Sequence, residues 1–117
     1  MANFLFVYRG AGDAYAKLSP DEMQRNMQKW TNWIGEGFRK GWMVDAGDAL
    51  TGEGRVVNSK KIVTDGPFVE SKEIVGGFSI VKAENINAAA ELAKGCPGLE
   101  NGGKVEVRPL AGLAPKP

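Results

Sequence analysis

Histidine is absent from this 117-residue chain. That removes the imidazole base of Ser-His-Asp and Cys-His catalysis. It also removes the commonest transition-metal ligand and the usual proton shuttle near neutral pH. One cysteine, Cys96, leaves no partner for an intrachain disulfide, which fits a reducing compartment. One cysteine without histidine makes a zinc site improbable, and the composition points to no other cofactor. Any acid–base work must fall to Asp, Glu, Lys or Tyr. An excess of one charge is lacking too: 15 Lys and Arg stand against 14 Asp and Glu, a net charge of +1. A nucleic-acid partner is therefore not expected. No apolar run approaches the roughly 20 residues that span a bilayer, so no membrane partner is expected. The opening Met1-Ala2-Asn3-Phe4 has neither the basic nor the apolar region of a signal peptide. A cytoplasmic location is the expectation.

What is present reads as one domain over residues 1–112, followed by a tail, 113–117, with two prolines, expected to be mobile. Residues 3–9 are aromatic and β-branched, a strand signal. Phe4, Phe6 and Tyr8 share one face and Leu5, Val7 and Arg9 the other, so both faces are largely apolar, as in a central strand. Gly10 to Lys17 reads as a loop. Ser19-Pro20-Asp21-Glu22 is a capping box with proline at the first helical position. Met23, Met27, Trp30, Ile34 and Phe38 follow at helical spacing and predict one apolar stripe. Arg39, Lys40 and Gly41 suit the helix end. Gly35 and Gly37 lie inside this helix, where close approach to a sheet or early fraying would each account for them.

Trp42 to Leu50 reads as a second strand. Arg55-Val56-Val57 and Lys61 to Thr64 read as hairpin arms around Asn58-Ser59-Lys60. Ile74 to Lys82 is a strand in which Gly76-Gly77 predicts a bulge or a close backbone approach. Asn85 or Asn87 caps a short helix with Ala89, Leu92, Ala93 and Cys96 on one face. Lys104 to Leu110 is the last strand, with Val105 and Val107 alternating against Glu106 and Arg108. The order β-α-β-hairpin-β-α-β predicts an α+β, ferredoxin-like two-layer sandwich. One helix layer covers one face of such a sheet. The surplus apolar surface of the first strand, with Trp42, Met43, Ile74, Phe78 and Ile80, predicts a homodimer whose sheets face each other around a cavity.

Thr64-Asp65-Gly66-Pro67-Phe68, then Glu70, Lys72-Glu73, Gly76-Gly77-Phe78 and Val105-Glu106-Val107-Arg108-Pro109 resemble the DGPF branch of the YCII-related proteins. The branch signature DGPFAETKE stands here as DGPFVESKE. The resemblance extends to the strand ending in Tyr8, the Leu18-Ser19-Pro20 helix start, Gly47-Asp48-Ala49-Leu50 and the Ala-rich second helix. It implies a ferredoxin-like fold and a dimeric α/β barrel. Some YCII-related proteins are thought to act on small organic molecules through a His–Asp pair. That pair cannot be carried over to a chain without histidine. The association of some DGPF relatives with extracytoplasmic-function sigma factors implies a regulatory setting.

Asp65-Gly66-Pro67 is turn chemistry. Either the turn positions Phe68 as a plug, or the loop overhangs the barrel mouth and aims Asp65 and Glu70 inward as acid–base groups. Lys72 belongs either to a buried charge network with Glu70 and Glu73 or to a surface ion-pair set. Tyr8 has a polar tip on an apolar face, for a ligand or for a partner at the sheet rim. Arg108 suits a carboxylate ligand or a sheet-edge charge, and Asp48 a ligand or a turn. The three tryptophans and Cys96 read as core or interface. Two functions follow. One is an enzyme that binds a small molecule through Tyr8, Asp48, Phe68, Lys72 and Arg108 and moves protons through Asp65 and Glu70. The other is a non-catalytic ligand-binding or regulatory interaction module, which the missing histidine favours.

Overall fold

A computed structural model describes residues 1–66 and 74–115. The strand expected at the N-terminus, β1 (Ala2–Arg9), lies between β5 (Val75–Ala83) and β6 (Lys104–Pro109). With β2 (Met43–Ala49) they form a four-stranded sheet in the order β2-β5-β1-β6, and every pair is antiparallel. A hairpin of β3 (Arg55–Val57) and β4 (Val63–Asp65) is inserted between β2 and β5 and forms a separate two-stranded sheet. Without it the chain is two interleaved split βαβ units, the ferredoxin-like arrangement within the α+β class. Asn58 Oδ1 accepts from the backbone N–H of Lys60 and of Ile62, at 2.9 and 3.0 Å, and so closes that hairpin.

One helix layer covers the sheet: α2 (Pro20–Lys40), with α3 (Ile86–Ala93) beside it. Both starts follow from their caps. Ser19 Oγ accepts from Glu22 N at 3.2 Å, and the Glu22 carboxylate accepts from Ser19 N at 3.1 Å, a reciprocal capping box. Asn85, not Asn87, caps α3, accepting from Ala88 N at 2.8 Å. The Gly10 to Lys17 stretch is not wholly loop. It contains a one-turn helix, α1 (Gly12–Ala16), entered through the left-handed residues Gly10 and Ala11.

The core lies between the layers and holds Phe4, Phe6, Trp33, Met43, Val81, Ala89 and Cys96. The expected stripe of α2 is displaced. The residues buried against the sheet are Asn26, Trp33 and Gly37, while Met27 is 62% and Phe38 50% exposed. Trp33 anchors the core by stacking on Phe6, with centroids 6.3 Å apart. The apolar stripe thus runs along the flank of the buried one. Its members Met23, Met27, Trp30 and Ile34 border an open space, and Trp30 and Ile34 also pack against the core.

The two glycines of α2 part ways. A Cβ on Gly37 would meet the Trp42 ring at 2.9 Å, so close approach accounts for it; Gly35 has only Arg39, at 4.0 Å. The helix runs to Lys40 without fraying.

Candidate functional site

The open space is a cavity of about 780 Å³ between α2 and the end of the sheet where β1 stops and β5 begins. That volume suits a small organic ligand. Its origin lies in the backbone. Gly76 is the extra residue of a bulge, since the β1–β5 register steps from Tyr8↔Gly77 to Arg9↔Val75. Gly77 and Gly47 let β2 approach β5 closely: a Cβ on Gly77 would lie 2.8 Å from the Asp48 carbonyl oxygen. On Gly47, at φ 65°, it would lie 1.8 Å from that of Phe78. These glycines leave part of the lining as bare backbone, beside Tyr8, Ser79 and Val105 of the sheet, and α2 adds Met23, Met27, Trp30 and Ile34.

Apolar surface dominates the lining, but Arg9, Asn26, Thr31, Asp48, Thr51 and Lys104 border the cavity as well. Tyr8 Oη donates to Ser79 Oγ at 2.8 Å, and Ser79 Oγ donates to the Ala46 carbonyl at 2.7 Å. Ser79 is fully buried. Its hydroxyl joins β1, β5 and β2, so the desolvated group is satisfied on both sides. Burial pushes the Tyr8 phenol above its ordinary pKa, against a smaller opposing effect of the Ser79 bond. Tyr8 therefore stays neutral through the physiological range and works as a hydrogen-bonding group, not as a base. Its ring meets Trp30 edge-on at 4.9 Å. The Trp30 indole N–H donates to Tyr15 Oη at 3.3 Å, which ties α1 to α2 at the cavity wall. Cys96 is buried at the same wall, and burial pushes its thiol up to about 11, which leaves it protonated and unreactive near neutrality.

Of the residues the sequence nominated, Tyr8 and Asp48 line the cavity. Asp48 lies in β2 beside a register shift rather than in a turn, and its Oδ1 accepts from Ala49 N at 2.8 Å at the cavity rim. It is the one carboxylate among the described lining residues. Asp65 ends the hairpin with its side chain 91% exposed and 3.8 Å from Arg55, and it is not a lining residue. Arg108 shares the sheet face of Leu5, on the side away from Phe4 and Phe6 and the helices. Its side chain is 66% exposed and reaches Glu106 at 3.1 Å. Arg9 binds the same carboxylate at 2.7 Å, and the two guanidiniums, Arg9 foremost, hold Glu106 below the usual carboxylate range. Phe68, Glu70 and Lys72 lie outside the described residues.

Sequence reasoning missed Ser79, Tyr15 and the role of the α2 stripe. The available signal was a long apolar stripe on a helix that has one sheet to cover. Among the described residues, no cluster of three or more His, Cys, Asp or Glu side chains could hold a metal ion. No helix there is long and apolar enough to cross a membrane.

No curated protein matches the chain significantly. The family model of the YCII-related domain matches residues 16–111, which takes in α2, the hairpin, β5, α3, β6 and most of the cavity wall. A match over that much of a ferredoxin-like chain shows that this protein belongs to the YCII-related family.

Proposed function

We propose that this protein binds a small, uncharged, largely aromatic molecule in the cavity between α2 and the sheet. The observation that carries the reading is the apolar stripe of α2: Met23, Met27, Trp30 and Ile34 line a cavity of about 780 Å³, with Trp30 and Ile34 also packed against the core. Apolar side chains left around an open volume gain when a ligand fills it. The site lies within one chain, on the helix side of the sheet. Saturation-transfer NMR with a mixture of neutral aromatic fragments tests this. Fragments that bind the wild-type protein are expected, and silence across the mixture at millimolar concentration would sink the reading.

A catalytic variant of the same reading rests on Asp48, the carboxylate at the rim. Proton transfer by Asp65 would require that exposed side chain to leave the hairpin surface. In the binding-only reading, Asp48→Asn changes fragment affinity little and no turnover is found with any bound fragment. The DGPF signature at Asp65-Gly66-Pro67-Phe68 supports placing the chain in that branch of the family, and the single buried cysteine fits a cytoplasmic protein.

We also propose a homodimer through the bare sheet face. Leu5 pairs with Ile80 and Val7 with Phe78 there, all four half-buried, beside the Arg9–Glu106–Arg108 ion pairs. An apolar band rimmed by charge suits a second copy of the same surface. Light scattering checks it: a dimer is expected for the wild type and a monomer for Ile80→Glu.

A further inference from the structure

The directions of the hydrogen bonds in the cavity specify more than its shape does. The Ala46 carbonyl can only accept, so the proton of the Ser79 hydroxyl is committed to it at 2.7 Å. Ser79 Oγ must then accept from Tyr8, whose own proton is spent on that 2.8 Å bond. What Tyr8 has left is oxygen lone-pair capacity, and no donor among the described residues takes it up. Tyr15 is the reverse case. An indole N–H can only donate, so Tyr15 Oη accepts from Trp30 at 3.3 Å. The Tyr15 proton is left over, and no acceptor among the described residues engages it. Both phenols bracket Trp30, one against its ring and one on its nitrogen, and all three residues line the cavity.

We infer that the ligand of this cavity is a flat, neutral molecule that donates a hydrogen bond to Tyr8 and accepts one from Tyr15, as a phenol, an enol or a primary or secondary amide does. The inference rests on the cavity reading above and narrows it to a chemical class. Arg9 and Lys104 also border the cavity, but at the Tyr8 position a carboxylate fits poorly, because it has no proton for Tyr8 and the Tyr8 proton is already committed. A hydrocarbon fills the volume but leaves the spare Tyr8 lone pair and the Tyr15 proton unused.

Three probes of nearly equal size separate the two levels of the claim: a naphthol, its methyl ether, and the matching methylnaphthalene. The naphthol can donate and accept, the ether can only accept, and the hydrocarbon does neither. Titration by NMR or calorimetry is expected to rank naphthol above ether above hydrocarbon. Each step should be worth about tenfold in affinity, the scale of one neutral hydrogen bond made or lost in a desolvated site. Tyr8→Phe should erase the gap between naphthol and ether, and Tyr15→Phe the gap between ether and hydrocarbon. Ser79→Ala frees the Tyr8 proton to turn toward the ligand and should raise the affinity for the ether. The wild-type ranking decides the matter even where a variant folds poorly. Equal affinities for the three probes, or an ether that binds best, would overturn the donor–acceptor inference and leave the cavity reading standing. Failure of all three to bind would remove both.

Discussion

Two alanine substitutions in α2, two residues apart, should move stability in opposite directions. Replacing a helix-interior glycine by alanine gains about 1 kcal/mol from backbone entropy alone. At Gly35 nothing opposes that gain, because the nearest atom to a new Cβ is an Arg39 guanidinium nitrogen at 4.0 Å. At Gly37 the new methyl would sit 2.9 Å from Trp42 Cη2 and 3.0 Å from both Trp42 Cζ2 and Met43 Cβ. None of these is the free end of a flexible chain. Trp42 is itself held by Trp33, with ring centroids 5.4 Å apart, and Met43 is buried in the core. Overpacking of this kind costs about 1–3 kcal/mol, which outweighs the propensity gain. Gly35→Ala is therefore expected to raise the melting temperature by about 4 °C, at the scale of several degrees per kcal/mol for a small domain. Gly37→Ala is expected to lower it by a similar amount. Thermal unfolding followed by circular dichroism, with urea titration as a second measure, reads both. If Gly37→Ala stabilises as much as Gly35→Ala, the end of α2 does not pack on Trp42 and the account of this helix is wrong.

Three further outcomes follow from the site and the core. Ser79→Ala strands the Tyr8 hydroxyl and the Ala46 carbonyl and should cost about 1–3 kcal/mol, against about 0.5–1.5 for Tyr8→Phe. The double variant should cost less than the sum, because the two changes remove one shared bond. Stability should also fall in alkali. Burial raises the Cys96 thiol from its ordinary 9.0 to about 11, so the unfolded chain releases that proton first as pH climbs. The contribution is fully present below pH 9 and is lost between there and 11, by about 3 kcal/mol at most. The raised phenol of Tyr8 adds a loss of the same sign above its ordinary value of 10.0. Cys96→Ser scanned over that range should show a flatter decline through the window of the thiol. Gly47→Ala should unfold the protein or displace β2, since its Cβ cannot coexist with the Phe78 carbonyl at 1.8 Å.

The framework was legible because its signals are local. Ser19-Pro20-Asp21-Glu22 announces a helix start through contacts that span four residues, and the hairpin is closed by Asn58 within its own turn. The order of strands and helices then leaves few topologies, and the ferredoxin-like one is found. The bulge implied by Gly76-Gly77 was legible for the same reason. What escaped depends on distance along the chain. Ser79 meets Tyr8 across 71 residues, and nothing in the neighbourhood of either marks them as partners. The stripe of α2 was read correctly as apolar, without a reading of what it faces. Period alone does not say which of two adjoining helix faces the sheet covers. Trp33 is the large residue of the buried face, and the other two buried residues, Asn26 and Gly37, do not look like core in a sequence. The acidic loop drew attention through its motif, yet its described carboxylate, Asp65, stands in solvent.

The most direct measurement on the central claim uses the three tryptophans as position markers. Their indole N–H groups should give three resolved signals in a proton–nitrogen correlation spectrum. Trp30 lines the cavity, whereas Trp33 and Trp42 pack together in and beside the core. Titration with a naphthol should shift the Trp30 signal in a saturable way and leave those of Trp33 and Trp42 nearly still. Saturable shifts at Trp33 or Trp42 with Trp30 unmoved would place binding elsewhere, and a spectrum unchanged at saturating probe would contradict a ligand site in this cavity.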